Sequence, residues 1–263
     1  MLTLIILTML LGVIAGLLAG LFGLGGGVVI VPALVWVFSA YAFPSEQIMI
    51  MAIATSLAAI IPTSISSMIS HHKLGAIQWD RVLRLVPGIV LGAGLGAVIA
   101  DLVDAEVLKR FFICYLFYTG IHMALPSRPV KHEVKTNKGM DYLVGNGIGF
   151  LSSLLGIGGG TLTVPYLLGR QVAMKNAVAI SGACGLPIAL SGTVMYALLG
   201  RGDMLLPEWS MGYVYLPALC GIVSCSVFVA PLGAKLAHIL PAKKLKRYFS
   251  VVIFLIVFKM LVS

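Results

Sequence analysis

The sequence carries very little charge. Only 10% of its 263 residues are Asp, Glu, Lys or Arg, whereas 60% are hydrophobic, and the mean hydropathy is +1.06. Soluble domains are about 25% charged, so this composition excludes a water-soluble protein and predicts a polytopic membrane protein. The net charge of +9 does not indicate a nucleic-acid partner. The basic residues lie in short loops between apolar runs, where membrane orientation accounts for them.

Carboxylates are missing from the apolar runs. All nine Asp and Glu residues lie in or beside loops, whereas a cation carrier or a proton pump normally places a carboxylate within a span. This pattern favours an anion as the substrate. The sequence also has no GxSxG, HExxH or P-loop motif, so neither an enzyme nor an ATP-driven pump is indicated.

Metal-ligand spacing is missing as well. The four cysteines fall in apolar segments without paired spacing, so we expect small buried side chains and neither a metal nor another cofactor. The five histidines lie near predicted span ends or in loops. We therefore expect them at the membrane interface.

What the sequence does contain is a duplication. The run Gly-Leu-Gly-Gly-Gly at 23–27 returns as Gly-Ile-Gly-Gly-Gly at 156–160, 133 positions later (156 minus 23). Such glycine-broken apolar segments in matching halves point to the binding site of a secondary transporter. The predicted organisation is a single transmembrane domain with a first repeat at 1–125, a hydrophilic linker at 126–141 and a second repeat at 142–263.

The 18 Lys and Arg residues indicate how the repeats are oriented, because such residues concentrate in cytoplasmic loops. They divide nine against nine if each glycine segment crosses the membrane once, but 14 against 4 if it folds back to the side it entered from. The fold-back arrangement is therefore favoured, although residues 2–21 are long enough to span alone. The linker is then cytoplasmic and the C-terminus extracytoplasmic.

The predicted fold is an all-α polytopic membrane protein with two inverted-topology repeats. Each repeat is a glycine-broken re-entrant helical hairpin followed by three transmembrane helices. The repeats are inverted because three further crossings are an odd number.

The glycine runs are the predicted binding site. Consecutive glycines let a ligand approach the backbone closely, and a helix that begins at such a break offers unpaired N–H groups to an anion. Hydroxyls near prolines in the next helix of each repeat can add further donors. The predicted substrate contacts are Gly25, Gly26, Gly27, Gly158, Gly159, Gly160, Thr161, Thr55, Ser56 and Ser181. The predicted helix breaks are Pro32, Pro62, Pro165 and Pro187.

A purely structural role is the alternative for each of these features. Glycines spaced four residues apart typically let membrane helices pack closely, and we favour that role for Gly12 and Gly16, for Gly88, Gly92 and Gly96, and for Gly145 and Gly149. Serine and threonine in membrane helices often bond their own backbone. For the hydroxyls the two roles stay open.

The doubled GxGGGxxxxP segment and the Ala-Thr-Ser-Leu sequence at 54–57 resemble the TauE/SafE sulfite-exporter family. The resemblance covers essentially the whole chain. It implies a bacterial-type inner-membrane permease for sulfite, sulfoacetate or a related organosulfonate, with protons or sodium as candidate coupling ions. Ile180 and Gly182 depart from the pattern of Thr55 and Leu57, so the halves are expected to contribute unequally.

Three functions remain open at this stage. The favoured one is a transporter that moves a small anion by alternating access. Its expected partners are the lipid bilayer and a second copy of the chain in a homodimer. The second is an anion channel whose glycine turns form a filter. The third is a membrane accessory subunit that does not transport.

Overall fold

The computed structural model describes residues 2–23, 25–124, 138–239 and 242–262. The first half contains helices α1 (Leu2–Phe22), α2 (Gly27–Ala40), α3 (Ser45–Lys73), α4 (Trp79–Leu102) and α5 (Ala105–Ala124). The second half contains α6 (Lys138–Leu155), α7 (Gly160–Gly169), α8 (Met174–Leu199), α9 (Leu216–Ile239) and α10 (Ala242–Val262). The predicted order, a broken hairpin followed by three helices, therefore recurs in both halves.

Two details differ from the expectation. A short antiparallel pair, β1 (Ser210–Met211) and β2 (Val214–Tyr215), lies between α8 and α9, so the described chain is not purely helical. Helix α6 begins at Lys138, which makes 138–141 of the predicted linker its first turn. The rest of the predicted linker, residues 126–137, lies outside the described residues.

The helices break at glycines. The first break has positive φ at Gly23, Gly25 and Gly26, and the second at Gly156 and Gly159. Positive φ is costly for residues with a Cβ but not for glycine. Since Gly26 and Gly159 are the left-handed residues that immediately precede α2 and α7, the glycine runs set where these helices begin.

The four prolines do not break helices, so that prediction is wrong. Pro62 lies inside the 29-residue α3, and Pro187 lies inside the 26-residue α8. Pro32 and Pro165 likewise lie within α2 and α7. Proline removes one helical hydrogen bond, but packing by neighbouring helices lets membrane helices continue through it.

The two halves of the chain pack closely against each other. Helix α1 packs along α9, and α4 packs along α6, and these are the most extensive contacts in the molecule. A Cβ on Gly12 would lie 2.3 Å from the Ile222 carbonyl oxygen, and one on Gly92 would lie 2.0 Å from the Asn146 carbonyl oxygen. The contacts of Gly16, Gly88, Gly96, Gly145 and Gly149 are equally close to backbone. The packing interpretation of these glycines is confirmed.

Helices α3 and α8 form the centre of the bundle. They run in opposite directions, because Leu57 lies beside Gly192 whereas Ser67 lies beside Gly182. Residues 49–60 of α3 and 177–185 of α8 are buried. The centre of the molecule is therefore formed by the helices that follow the two breaks.

Five described helices are long and apolar enough to cross a membrane, namely α1, α3, α4, α8 and α9. Their outer faces expose large apolar side chains such as Leu10, Leu91 and Phe228, which only a lipid environment accommodates at this extent. Helices α5 and α10 are 20 and 21 residues long but do not meet the same criterion. Both begin with several charged residues, which shorten the apolar stretch.

The arms of the two hairpins differ in length. At about 1.5 Å per residue, α1 is about 32 Å long and α7 only about 15 Å, against a hydrocarbon core of about 30 Å. The second arms, α2 and α7, are shorter than this core, whereas α1 is long enough for a full crossing.

The cysteines are only partly as expected. Cys184 is buried, but Cys114 and Cys220 are exposed on the outer surface of the bundle. Small polarisable side chains are tolerated on a lipid-facing helix as well as inside a core.

Candidate functional site

The two glycine breaks meet in the interior of the bundle. A Cβ on Gly25 would lie 3.1 Å from the Gly158 Cα atom, and a Cβ on Gly27 would lie 2.2 Å from the Gly156 carbonyl oxygen. The described glycines of both runs are buried. The structure thus brings together the two predicted glycine sites, which are far apart in the sequence.

The sequence predicts that the glycine runs let a ligand approach the backbone, but in this conformation the breaks leave no space for a ligand at their points of contact. The two backbones approach so closely that not even a methyl group fits between Gly27 and Gly156. The glycines lack side chains, and in this conformation the backbone of the opposite break occupies the space that a ligand was expected to fill.

A cavity of 620 Å³ lies away from the breaks, where the C-terminal end of α2 meets the ends of α3, α4 and α5. Its titratable lining consists of Glu46, Asp101, Asp104, Glu106, Lys109 and Tyr213. Burial, and then the hydrogen bond to Asp101, raise the pKa of the Tyr213 phenol. Arg110 forms an ion pair with Glu106, so three carboxylates remain against one ammonium, and the net negative charge of the lining disfavours anions.

Two serines tie each break to the opposite repeat. Ser56 on α3 donates a 2.8 Å hydrogen bond to the Gly156 carbonyl, and Ser181 on α8 donates a 3.0 Å bond to the Gly23 carbonyl. Both serines are completely buried. The arrangement is reciprocal, because each half of the duplicated sequence holds the other half's break. These two predicted ligand hydroxyls are engaged in structure in this conformation.

We expect Ser56→Ala and Ser181→Ala each to lower stability by about 1–3 kcal/mol, because each leaves a buried carbonyl without its partner. Thermal unfolding of the purified protein in detergent would measure the shift. Ser39→Ala is the comparison variant, since Ser39 is exposed and its hydroxyl bonds the Val35 carbonyl in its own helix. Equal midpoints for all three variants would contradict a clamping role.

The two predicted threonines are also engaged. The Thr55 hydroxyl accepts a 3.0 Å hydrogen bond from the Tyr215 N–H, which fixes the β2 end of the α8–α9 loop to α3. The Thr161 hydroxyl bonds the Tyr115 hydroxyl of α5. Ile180 stands where Thr55 stands in the first repeat, so this loop anchor has no equivalent donor or acceptor in the second repeat.

A second pair of equivalent contacts, each within a single repeat, was missed by sequence reasoning. His71 Nε2 lies 3.2 Å from the Gly20 carbonyl oxygen, and the Tyr196 hydroxyl donates a 3.1 Å bond to the Ser153 carbonyl. His71 lies in the last turn of α3, near the span end as expected, but it is completely buried. The sequence indicates this relation, because positions 71 and 196 differ by 125, the same offset as positions 56 and 181.

Among the residues that the structure describes, no group of three or more His, Cys, Asp and Glu side chains could hold a metal ion. The chemistry at the breaks is therefore that of backbone dipoles and hydroxyls. Such groups can hold an anion by hydrogen bonding without a formal positive charge.

A bundle of apolar helices built from two matching halves, whose glycine breaks face each other in the interior, is the architecture of a membrane transporter. The chain belongs to the sulfite exporter TauE/SafE family, whose family model matches residues 8–260. It is accordingly a multi-pass membrane transporter of the permease type.

The chain is similar to several proteins described as probable membrane transporter proteins. One from Haemophilus influenzae is 40% identical over 258 residues, which are 98% of this chain and 97% of that protein. MJ0441 of Methanocaldococcus jannaschii is 28% identical and covers 91% of this chain and 89% of its own. YunE of Bacillus subtilis is 28% identical over 95% of both chains. None of the solved structures is a significant match to this chain.

Proposed function

We propose that this chain is a secondary transporter that moves sulfite, sulfoacetate or a related organosulfonate across the inner membrane by alternating access. The observation that carries the proposal is the meeting of the two glycine breaks, at Gly25 with Gly158 and at Gly27 with Gly156. Helices α2 and α7 both begin there, and helix N-termini attract anions through unpaired N–H groups and the helix dipole. The family to which the chain belongs indicates a sulfur oxyanion.

Alternating access requires two arrangements of the breaks. In the present one they are in contact and buried, so substrate entry requires one set of helices to move against the other. The two helix pairs α1–α9 and α4–α6, each with one helix from each repeat, are the equivalent units that would move. Relative rocking of repeats around a central site is the usual mechanism in transporters with internal repeats.

We further propose that the repeats are inverted and that the short arms α2 and α7 are re-entrant. The opposite directions of α3 and α8 support this, as does the division of the basic residues. In this orientation the acidic cavity faces the outside. An exported anion that reaches it is repelled by the carboxylates, which disfavours its return.

The proposed transporter needs no cofactor. Its driving force is a proton or sodium gradient, and its proposed assembly is a homodimer in the bilayer. The substrate is held by neutral donors, so the coupling ion and the anion need not share a carboxylate site.

Flux measurements with purified protein in proteoliposomes test the function. We expect saturable counterflow of labelled sulfite or sulfoacetate, and competition between the two, because a single site alternates between the faces. Single-channel currents would instead establish the channel alternative. Absence of any anion-dependent flux would overturn the proposal.

The proposed membrane orientation of the α6–α7 hairpin can be tested separately. Reporter fusions truncated at Lys135 and at Lys175 should both report a cytoplasmic location, because the α6–α7 hairpin lies between them and returns to its own side. Alkaline phosphatase and green fluorescent protein fusions give complementary readouts. Opposite locations for the two positions would show that the glycine segment crosses the membrane.

A further inference from the structure

We propose that the two breaks are chemically unequal, and that the oxyanion is hydrogen-bonded at the second break by Ser152 and Thr163 together with the N-terminus of α7. Sequence reasoning assigned neither hydroxyl to the site. The inference rests on the proposed anion transport and names the groups that perform the recognition.

The two hydroxyls border the same residue of the break. A Cβ placed on Gly159 would lie 3.5 Å from Ser152 Oγ and 3.5 Å from Thr163 Oγ1. Ser152 is 2% exposed and Thr163 is fully buried. Neither hydroxyl makes a hydrogen bond within the part of the chain that the structure describes. Buried polar groups without partners are rare and costly, so two at one glycine indicate a partner that is absent from this conformation.

The start of α7 adds further donors at the same place. The first helical bonds run from the N–H groups of Leu162 and Thr163 to the Gly159 carbonyl. The N–H groups of Gly160 and Thr161 therefore precede the first intrahelical bond. The left-handed Gly159 provides no side-chain cap. Hydroxyl and amide donors thus converge on one face of the break.

The first break lacks these hydroxyls. The positions that match Ser152 and Thr163 at the offset of 133 are Ala19 and Ile30, and both are buried apolar residues. The duplicated serines Ser56 and Ser181 cannot supply the difference, because each is bonded to a break carbonyl. The two breaks therefore have similar backbones but differ in the side chains around them.

The donor set fits an oxyanion with several acceptor oxygens. Hydroxyl and amide N–H groups donate to anionic oxygens in strong, short hydrogen bonds, and a sulfonate or sulfite group offers three such oxygens. The Ile188 side-chain end lies against the same glycine, because its Cδ1 atom would lie 2.4 Å from a Cβ on Gly159. Binding requires this flexible side-chain end to rotate away, which agrees with the closed state of the breaks.

Binding of sulfite and methanesulfonate to the purified full-length protein tests the inference, measured by ligand-dependent thermal shift and by equilibrium titration in detergent. Thr163→Val removes the hydroxyl at nearly constant shape, and Ser152→Ala removes the other. We expect each to weaken binding about tenfold or more, since each deletes a hydrogen bond to a charged ligand. Thr163→Ser keeps the hydroxyl and should recover most of the affinity lost in Thr163→Val.

Thr8→Val is the matched control. Thr8 is buried like Thr163, but it lies in α1 and its hydroxyl bonds the Leu4 carbonyl of the same helix. We expect wild-type affinity from it. If the wild type binds sulfite and Thr163→Val and Ser152→Ala bind it equally well, the inference is wrong while the proposed function stands. If the wild type binds neither anion, both are overturned.

Discussion

Replacing Gly159 by leucine is expected to abolish transport while the protein still inserts and folds. Gly159 has φ of +77°, which costs an L-residue about 1–2 kcal/mol. The added side chain would also fill the spot bordered by the Ser152 and Thr163 hydroxyls, where its nearest neighbour is the Ile188 side-chain end. A side-chain end can move, so the fold tolerates the change, but the space for the anion is lost.

Gly26→Leu is expected to have the same effect from the first repeat. Gly26 has φ of +80°, and a Cβ there would lie 2.7 Å from the Ala15 carbonyl oxygen. Because this neighbour is backbone, we expect a larger loss of stability than at Gly159. Proteoliposome flux, membrane abundance and thermal midpoint separate the two effects.

Gly147→Leu is the control for both variants. Gly147 lies in α6 of the second hairpin, has an ordinary helical φ, and has nothing within 4 Å of an added Cβ. Its flux should equal that of the wild type. Normal flux in Gly26→Leu and Gly159→Leu as well would show that the breaks serve packing alone.

The second large effect is expected at Gly92, where valine should prevent formation of the folded bundle. A Cβ on Gly92 would lie 2.0 Å from the Asn146 carbonyl oxygen and 2.8 Å from the Asn146 carbonyl carbon. Both atoms are α6 backbone, so the whole helix must move away. Overpacking of a close contact costs about 1–3 kcal/mol or more, and the α4–α6 contact is one of the two largest in the molecule.

Gly94→Val supplies the comparison within the same helix. Two residues from Gly92, its added Cβ would meet only the Ser191 hydroxyl at 3.6 Å and Met195 at 3.9 Å. Size-exclusion profile and thermal midpoint in detergent should be near wild type for Gly94→Val, whereas Gly92→Val aggregates or is degraded. A folded, monodisperse Gly92→Val protein would contradict the assigned packing role.

The expected results of these two sets of experiments divide the glycines into two groups by function. Gly92 faces backbone of a neighbouring helix in the middle of a long contact, so its substitution acts on stability. Gly159 lies at a helix start beside unpartnered hydroxyls, so its substitution acts on transport. Sequence spacing separates the groups in outline, because a run of three glycines exceeds what close packing requires.

Differences between the two repeats mark several features of the site. The repeats differ at the positions of Ser152 and Thr163, where the first half has Ala19 and Ile30. A comparison of the halves for differences, rather than for identities, identifies these hydroxyls. At the offset of 125 that relates Ser56 to Ser181, His71 corresponds to Tyr196, and the two side chains contact equivalent carbonyls in the two repeats.

The helix-breaking role of the prolines could not be decided locally. Pro62 and Pro187 reduce the intrinsic stability of their helices, but both helices are enclosed by neighbours on several sides. Neighbouring helices and nearby hydroxyls compensate for the missing hydrogen bond, so a membrane helix can continue past a proline. The surrounding packing therefore overrides the local preference.

The sequence by itself determined that this protein is membrane-embedded, duplicated and broken at two glycine runs. These properties depend on hydropathy and on the backbone freedom of glycine, which act over a few neighbouring residues. Only the tertiary structure decided which hydroxyls are engaged. The partners of Ser56 and Ser181 lie 100 and 158 residues away in the chain, and a hydrogen bond across such a separation exists only when the packing of both repeats brings its donor and acceptor together.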